Sequence, residues 1–340
     1  MSTGTIRKAY QPSQSDVHVD AVLTQFSVAY IQSAQNYVAD RVFPRVPVQN
    51  QSDLYWVYDK GDFLRDSMEK RADATESAGS GWEQTTESYY CPVWALHKDI
   101  GDQTRANATA PANPDMETTR WLTQQGMIRK ERDFVGTAMV ASAWATGHSK
   151  ALAAYDSSSN SDPDNVFWSD GDNSEPIGAV NAAKLVIMEA TGLEPRHMVL
   201  TLDVFMELMN HPEIIDRTKR RTGDASVRSA NEADMAAAFD LDEVLVTRAM
   251  FNSATEGADD DFELVASKMA LLLYKTPTAG LMMPSAGYNI AWEGYGQGDT
   301  ATISRMRIPL RKADRIEIEM SWVYKIIARD CGYLFTNVLA

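Results

Sequence analysis

Cysteine is almost absent from this chain, and so are the spacings that make a thiol or an imidazole chemically useful. Only Cys91 and Cys331 occur among 340 residues, which gives neither a disulfide framework nor the paired thiols of a zinc site. Both are expected to be buried as small apolar side chains in a reducing compartment. No apolar run approaches the roughly 20 residues of a membrane-spanning helix, so no membrane partner is expected. The first fourteen residues lack the charged, apolar and small-residue zones of a secretory signal, and the expectation is that the chain stays where it is translated. Positive charge is in deficit, with 32 Lys and Arg against 47 Asp and Glu and a formal net charge of -15. Such a surface repels a phosphate backbone unless its cations cluster. The two densest clusters, Lys219-Arg220-Arg221 and Arg305 to Arg315, are short and are expected to be solvated or paired with acidic neighbours.

Recognisable chemistry is missing too. The five histidines, at 18, 97, 148, 197 and 211, do not stand one helical turn apart in any pair, as two ligands of one metal on a helix would. No G-x-S-x-G elbow, phosphate-binding Walker loop or H-E-x-x-H helix occurs. Asp162-Pro163-Asp164 and Asp170-Gly171-Asp172-Asn173 resemble pieces of a calcium loop without its glycine at the sixth position or its bidentate Glu at the twelfth. Gly294-Tyr295-Gly296-Gln297-Gly298 lacks the spacing and the following helix of a dinucleotide fingerprint and reads as a turn. No cofactor or metal is expected, and the chain is not read as an enzyme. A metal-dependent hydrolase using the Asp-rich loop 156–172 is the alternative of a different class.

What is present is pattern. The composition is that of a globular protein with material for roughly two compact units. Residues 1–50 read as an extended arm, because Pro44 and Pro47 in Val42-Phe43-Pro44-Arg45-Val46-Pro47-Val48 block a helix. Leu54 to Tyr58 and Ser88 to Leu96 read as strands. Asp59 to Glu87 between them is too long for a hairpin turn and too poor in large apolar residues to form its own core, so it is expected to find order on a neighbour. Asn113 as N-cap and Pro114 at the first helical position start a helix whose stripe (Trp121, Leu122, Ile128, Phe134, Val135, Ala138, Met139) runs toward a stop at Gly147, about 50 Å in all. Beyond an Asp-, Ser- and Asn-rich loop, helices and strands alternate: helices over 176–191, 203–219 and 231–239, strands over 197–202, 243–251, 264–274 and 288–292. Strict alternation in Ile316-Glu317-Ile318-Glu319-Met320-Ser321-Trp322 predicts a long strand over 315–327 with one buried face.

The segments Val42-Phe43-Pro44-Arg45-Val46-Pro47-Val48, Tyr55 to Phe63, Arg71-Ala72, Gly79-Ser80-Gly81 and Tyr89-Tyr90 resemble the major capsid proteins of tailed bacteriophages. The element order along essentially the whole chain resembles that family as well. The resemblance implies an α+β HK97-like capsid fold: N-terminal arm 1–50, E-loop 51–98, peripheral domain 99–172 and 300–340 with a spine helix at 114–146, and axial domain 173–299. It implies a shell subunit that assembles through pentamers and hexamers into an icosahedral head enclosing double-stranded DNA, formed in the host bacterial cytoplasm and residing in the virion. The implied partners are a separate scaffolding protein, a portal protein and a possible decoration protein. An encapsulin-type nanocompartment shell is the nearest alternative. Intersubunit contacts are expected from the E-loop residues Lys60, Asp62, Phe63, Arg65, Lys70, Arg71 and Trp82, with Phe63 and Trp82 as apolar anchors, and from Lys219, Arg220 and Arg221 in a loop near the local symmetry axis. Some relatives cross-link an E-loop Lys to a distant Asn. Lys60 or Lys70 with Asn337 could be cast in those roles, but no recognisable catalytic Glu accompanies them, and cross-linking is not expected.

Overall fold

The computed structural model describes residues 31–108, 113–222, 229–280, 283–294 and 298–340. Its first half runs α1 (Ala39–Val42), β1 (Arg45–Val48), β2 (Ser52–Tyr58), a helical turn α2 (Lys60–Phe63), β3 (Gln84–Tyr90), β4 (Val93–Gly101), α3 (Asp102–Asn107) and the long helix α4 (Pro114–Ala138). The second half runs β5 (Ser149–Ala151), α5 (Pro176–Thr191), β6 (His197–Thr201), α6 (Leu202–Leu208), α7 (Pro212–Thr222), α8 (Glu232–Ala238) and β7 (Glu243–Thr247). It continues through β8 (Met250–Asn252), β9 (Phe262–Leu264), β10 (Met269–Leu273), β11 (Gly287–Trp292), β12 (Thr302–Ile308), β13 (Ala313–Ile326) and β14 (Gly332–Thr336). Most of the expected arm, with His18, and part of the glycine turn after Gly294 lie outside the described residues.

A central sheet in the order β5-β14-β10-β6-β7 is covered on both faces. Met198, Leu200, Val244, Val246, Leu272 and Phe335 point into a cluster with Ile177, Val180 and Ile187 of α5. Their alternates Val199, Leu245, Leu271, Leu273 and Leu334 point into a second cluster with Leu122 and Phe134 of α4. Double coverage explains why these strands read as unbroken apolar runs rather than alternating ones. A second sheet, ordered β1-β11-β13-β12 with β4 also on β13, is built around the expected long strand. Its buried alternates Ile316, Ile318, Met320, Trp322 and Tyr324 join the α4 cluster. Strand pairing cuts across the linear partition expected at residue 299. Within 173–299, β11 pairs with β13, and within 300–340, β14 pairs with β10.

Several elements are shorter than their sequence patterns. The spine helix spans 25 residues, about 37 Å, and stops at Ala138 rather than near Gly147. The indole Nε1 of Trp144 donates to the Ala138 carbonyl at 2.9 Å, satisfying one of the helix's terminal acceptors. Gly147 serves instead in a turn, at φ +86. The expected helix over 203–219 breaks into α6 and α7 at Asn210-His211-Pro212, because Pro212 has no N–H to carry the ladder onward and opens α7 instead. The strand expected over 88–96 breaks at Cys91-Pro92, so β3 pairs with β2 and β4 pairs with β13. The strands expected over 243–251 and 264–274 also split, the second at Lys268, where φ is +55.

Close approach is decided by two glycines of opposite kind. A Cβ on Gly332 would stand 2.2 Å from the Trp144 ring, whereas one on Gly136 of α4 would meet nothing within 4 Å. Gly332→Ala is therefore expected to destabilise the subunit by about 1–3 kcal/mol through overpacking. Gly136→Ala is expected to stabilise it by about 0.5–1 kcal/mol through helix propensity. Urea midpoints of the two variants should move in opposite directions.

Candidate assembly surface

Buried residues of α4 fall at spacings of four: Thr118, Leu122, Lys130, Phe134 and Ala138, with Glu131 beside them. Gly126 completes this stripe, since a Cβ there would come within 2.9 Å of the Met320 sulfur. The heptad stripe read through Trp121, Ile128 and Val135 is displaced, for Trp121 is exposed and the other two only partly covered. Lys130 and Glu131 root the arm. The Oε2 of Glu131 accepts from the backbone N–H groups of Val38 and Ala39, each at 2.9 Å, and its Oε1 accepts from Thr247 Oγ1 at 2.8 Å. Burial raises the pKa of this carboxyl above the usual carboxylate range, opposed by those three hydrogen bonds. Burial, with Glu131 nearby, pushes the Tyr37 phenol up to about 12. Lys130 pairs with Asp40 and, at 3.4 Å, with Asp299. Asp299 in turn accepts from Asn289 and Arg45, so α1, β1, β11 and the spine meet at one set of charges.

The segment expected to be the E-loop begins as the β2–β3 hairpin and ends in a long excursion between Phe63 and Gln84. Phe63 packs its ring 5.9 Å from that of Tyr58 and 6.0 Å from that of Trp82, a small aromatic cluster that does not amount to a buried core. That cluster remains open: Phe63 is 50% exposed and Trp82 59%, beside the exposed Leu54, Trp56, Leu64 and Met68. Asp62 accepts from the Glu83 backbone N–H at 3.0 Å and lies 3.7 Å from Arg65. Arg71 donates to the Thr75 carbonyl within the loop, and Lys70 is exposed. Lys60 reaches the body of its own subunit, where its ammonium pairs with Asp330. A cleft of about 1020 Å³ lies between the hairpin and the body, with Trp56 and Tyr58 on one wall and Met283 and Ile327 on the other.

Lys219, Arg220 and Arg221 are not in a loop. They form the last turn of α7, where cations complement the helix dipole. Lys219 lies 3.7 Å from Asp216, and Arg221 is 2.6 Å from Asp234 of α8. The Arg305–Arg315 cluster pairs internally. Asp314 faces Arg305, Arg307 and Arg105, with Arg105 at 2.9 Å and Arg307 at 3.0 Å. Asp99 binds Arg315 and Arg311 in the same way. Arg305 above all, then Arg307, holds the Asp314 carboxyl down at about 2.

Three of the five acids of the 156–172 loop are engaged by local backbone and side-chain donors. Asp156 accepts from Ser158 and Ser159, Asp162 from Asp164 N–H and Asn165, and Asp170 from Asp172 N–H and Asn173. Among the described residues no group of three His, Cys, Asp or Glu is arranged to hold a metal. A buried Ser–His pair, Ser174 and His211 at 3.1 Å, is wired as structure. The Glu213 N–H donates to His211 Nδ1, which leaves the proton on Nε2 facing the serine, and the Ser174 hydroxyl donates to the Asp170 carbonyl. Asn337 donates its amide to the Leu152 carbonyl at 3.1 Å. Both cysteine thiols are buried and pushed up to about 11 by burial.

A spine helix against a long-stranded sheet, a doubly covered central sheet, a rooted arm and a projecting hairpin together define the HK97-like capsid fold. The chain is similar to the "Major capsid protein" of Pseudomonas phage JBD67, 23% identical over 334 residues that cover 96% of this chain and 99% of that one. Among solved structures it resembles a phage-related protein from Bordetella bronchiseptica RB50, with a TM-score of 0.67 at 17% identity over 90% of this chain and 93% of that one. It also resembles the capsid of cyanophage P-SCSP1u, with a TM-score of 0.60 at 11% identity over 98% and 96%. The SrpI encapsulin of Synechococcus elongatus PCC 7942 matches at a TM-score of 0.50 and 10% identity over 94% and 96%. No family model matches the sequence.

Glu131→Ala leaves two backbone donors and one hydroxyl buried without an acceptor, so the subunit is expected to lose about 3 kcal/mol or more. Glu131→Gln keeps one acceptor oxygen and should lose less, a ranking that chemical denaturation resolves. Asp314 has a folded pKa below its ordinary value, so its contribution is present above pH 3.8 and disappears as pH falls toward about 2. Asp314→Asn should accordingly lower the melting temperature at pH 7, with the gap from the parent closing near pH 2.

Proposed function

We propose that this chain is the major capsid protein of a phage, a structural subunit that assembles through pentamers and hexamers into an icosahedral head around double-stranded DNA. The observation that carries this reading is an E-loop with Leu54, Trp56, Phe63, Leu64 and Trp82 uncovered on a subunit whose two core clusters are already closed. Exposed apolar area on this scale marks a contact with another protein. A second copy of the chain is the partner that a shell fold supplies. The phage source of the sequence relative favours a head over an encapsulin-type compartment.

In this reading residues 1–50 are the arm, 51–98 the E-loop, and the axial and peripheral units interlock through β11 and β14. Phe63 and Trp82 anchor the loop on a neighbour, and Lys70 contributes charge at the rim. Lys219 and Arg220 stand near the axis where copies of α7 approach. Scaffolding is supplied by a separate protein, with a portal protein and a possible decoration protein as further partners. Assembly takes place in the host bacterial cytoplasm, and the finished subunit has a structural role in the virion.

Sedimentation of the chain, alone and coexpressed with its scaffold, tests the reading: closed shells are expected, and a uniform monomer in both cases would count heavily against it. Trp82→Ala is expected to weaken each contact by about 2 kcal/mol or more and reduce particle yield, with the subunit still folded by circular dichroism. Lys70→Ala is expected to be nearly silent, at about 0 to 1 kcal/mol.

A further inference from the structure

We propose that the E-loop hairpin is latched against its own subunit by the ion pairs Lys60–Asp330 and Glu87–Lys325, and that this latch must open before the loop can reach a neighbour, so that it restrains assembly. The inference rests on the capsid reading above. Its geometric basis is a match of signs. The hairpin offers a cation, Lys60, just beyond β2 and an anion, Glu87, in the middle of β3. The body answers with Asp330 beneath the first and Lys325 beneath the second. A hairpin laid down the other way would set cation on cation and anion on anion. Glu87 is also fixed from its own hairpin, where Tyr55 Oη donates to its Oε2 at 2.6 Å.

The space between the two pairs is not filled. The cleft separates the aromatic side chains of β2 from Met283 and Ile327, and Trp56 stays 58% exposed above it. Packing therefore does little to hold the hairpin down, and the two ion pairs bear the contact. Their side chains are accessible, at 56% and 29% exposure for Lys60 and Asp330 and 34% and 55% for Lys325 and Glu87. Pairs so exposed are individually weak and are screened by salt. A contact of this kind orients a loop and can still release it. Once released, the hairpin presents to another copy the apolar face that the cleft leaves unsatisfied.

The test compares the parent chain with Lys60→Ala/Lys325→Ala and with the charge exchange Lys60→Asp/Asp330→Lys. Hydrogen exchange is followed over amides 52–90 in dissociated subunits, and assembly is followed by light scattering. The double alanine variant is expected to exchange about 2- to 30-fold faster in the hairpin, the range set by losing two exposed pairs. It is also expected to form particles at a lower subunit concentration. The charge exchange should return both measurements toward the parent, which separates electrostatic latching from a change in side-chain bulk. Unchanged hairpin exchange would overturn the latch. Faster exchange with unchanged or slower assembly would overturn its role as a restraint. A parent chain that forms no particles would sink the capsid reading alone, because hairpin exchange would still decide whether the latch exists.

Discussion

One lysine and one glutamate at the centre of the spine helix hold the architecture to a single arrangement. Lys130 and Glu131 are sequence neighbours, so their side chains diverge around the helix and engage different structures. Glu131 takes the backbone of the arm root and a threonine at the end of the central sheet, while Lys130 takes Asp40 of the same arm root and Asp299 beside the long-stranded sheet. Withdrawing either charge from water is costly unless partners replace the solvent. The partners come from α1, the end of β7 and the segment before β12. The cost of leaving them unpaired makes the docking of arm root, helix and sheets cooperative.

That cooperativity divides the molecule into a part complete in itself and a part that is not. Both faces of the central sheet are covered from within the chain, by α5 on one side and the spine on the other. One face of the long-stranded sheet joins the spine-side cluster. The hairpin beyond β1 has no comparable cover, since its aromatic side chains line an unfilled cleft or face solvent. A chain with a closed interior and an unsatisfied projection is suited to association, because binding does not require its core to reorganise.

Much of this was legible in the primary structure, where local pattern decides. Asn113 and Pro114 announced the spine's start, and alternation from Ile316 to Trp322 announced β13. The segments 197–202 and 243–251 announced strands, though not that the second ends at Thr247. The spine's end was not legible, because Trp144 caps Ala138 from beyond the helix and periodicity carries no information about that contact. The arm root was missed for another reason. Lys130 lies on the same spacing of four as Leu122, Phe134 and Ala138, and a lysine in line with an apolar stripe was the available sign of a buried charge. The break of the 203–219 helix was signalled by Pro212. The cis contact of Lys60 with Asp330 joins residues 270 apart and left no local trace.

The arginines from 305 to 315 show how a run of cations can be used up within an acidic subunit. Four arginines in one short segment would ordinarily invite phosphate, and each phosphate contact strengthens binding by releasing counterions. Here Arg305 and Arg307 share Asp314, Arg307 also holds Asp102, and Arg311 and Arg315 share Asp99. A phosphate approaching these guanidinium groups must displace carboxylates already fixed by the β4, β12 and β13 pairing, and it meets their negative charge on the way. The cations serve the sheet, where they keep like-charged neighbours on adjacent strands compatible, and little of their field is left over for nucleic acid. A surface built in this way offers a phosphate backbone few places to adhere.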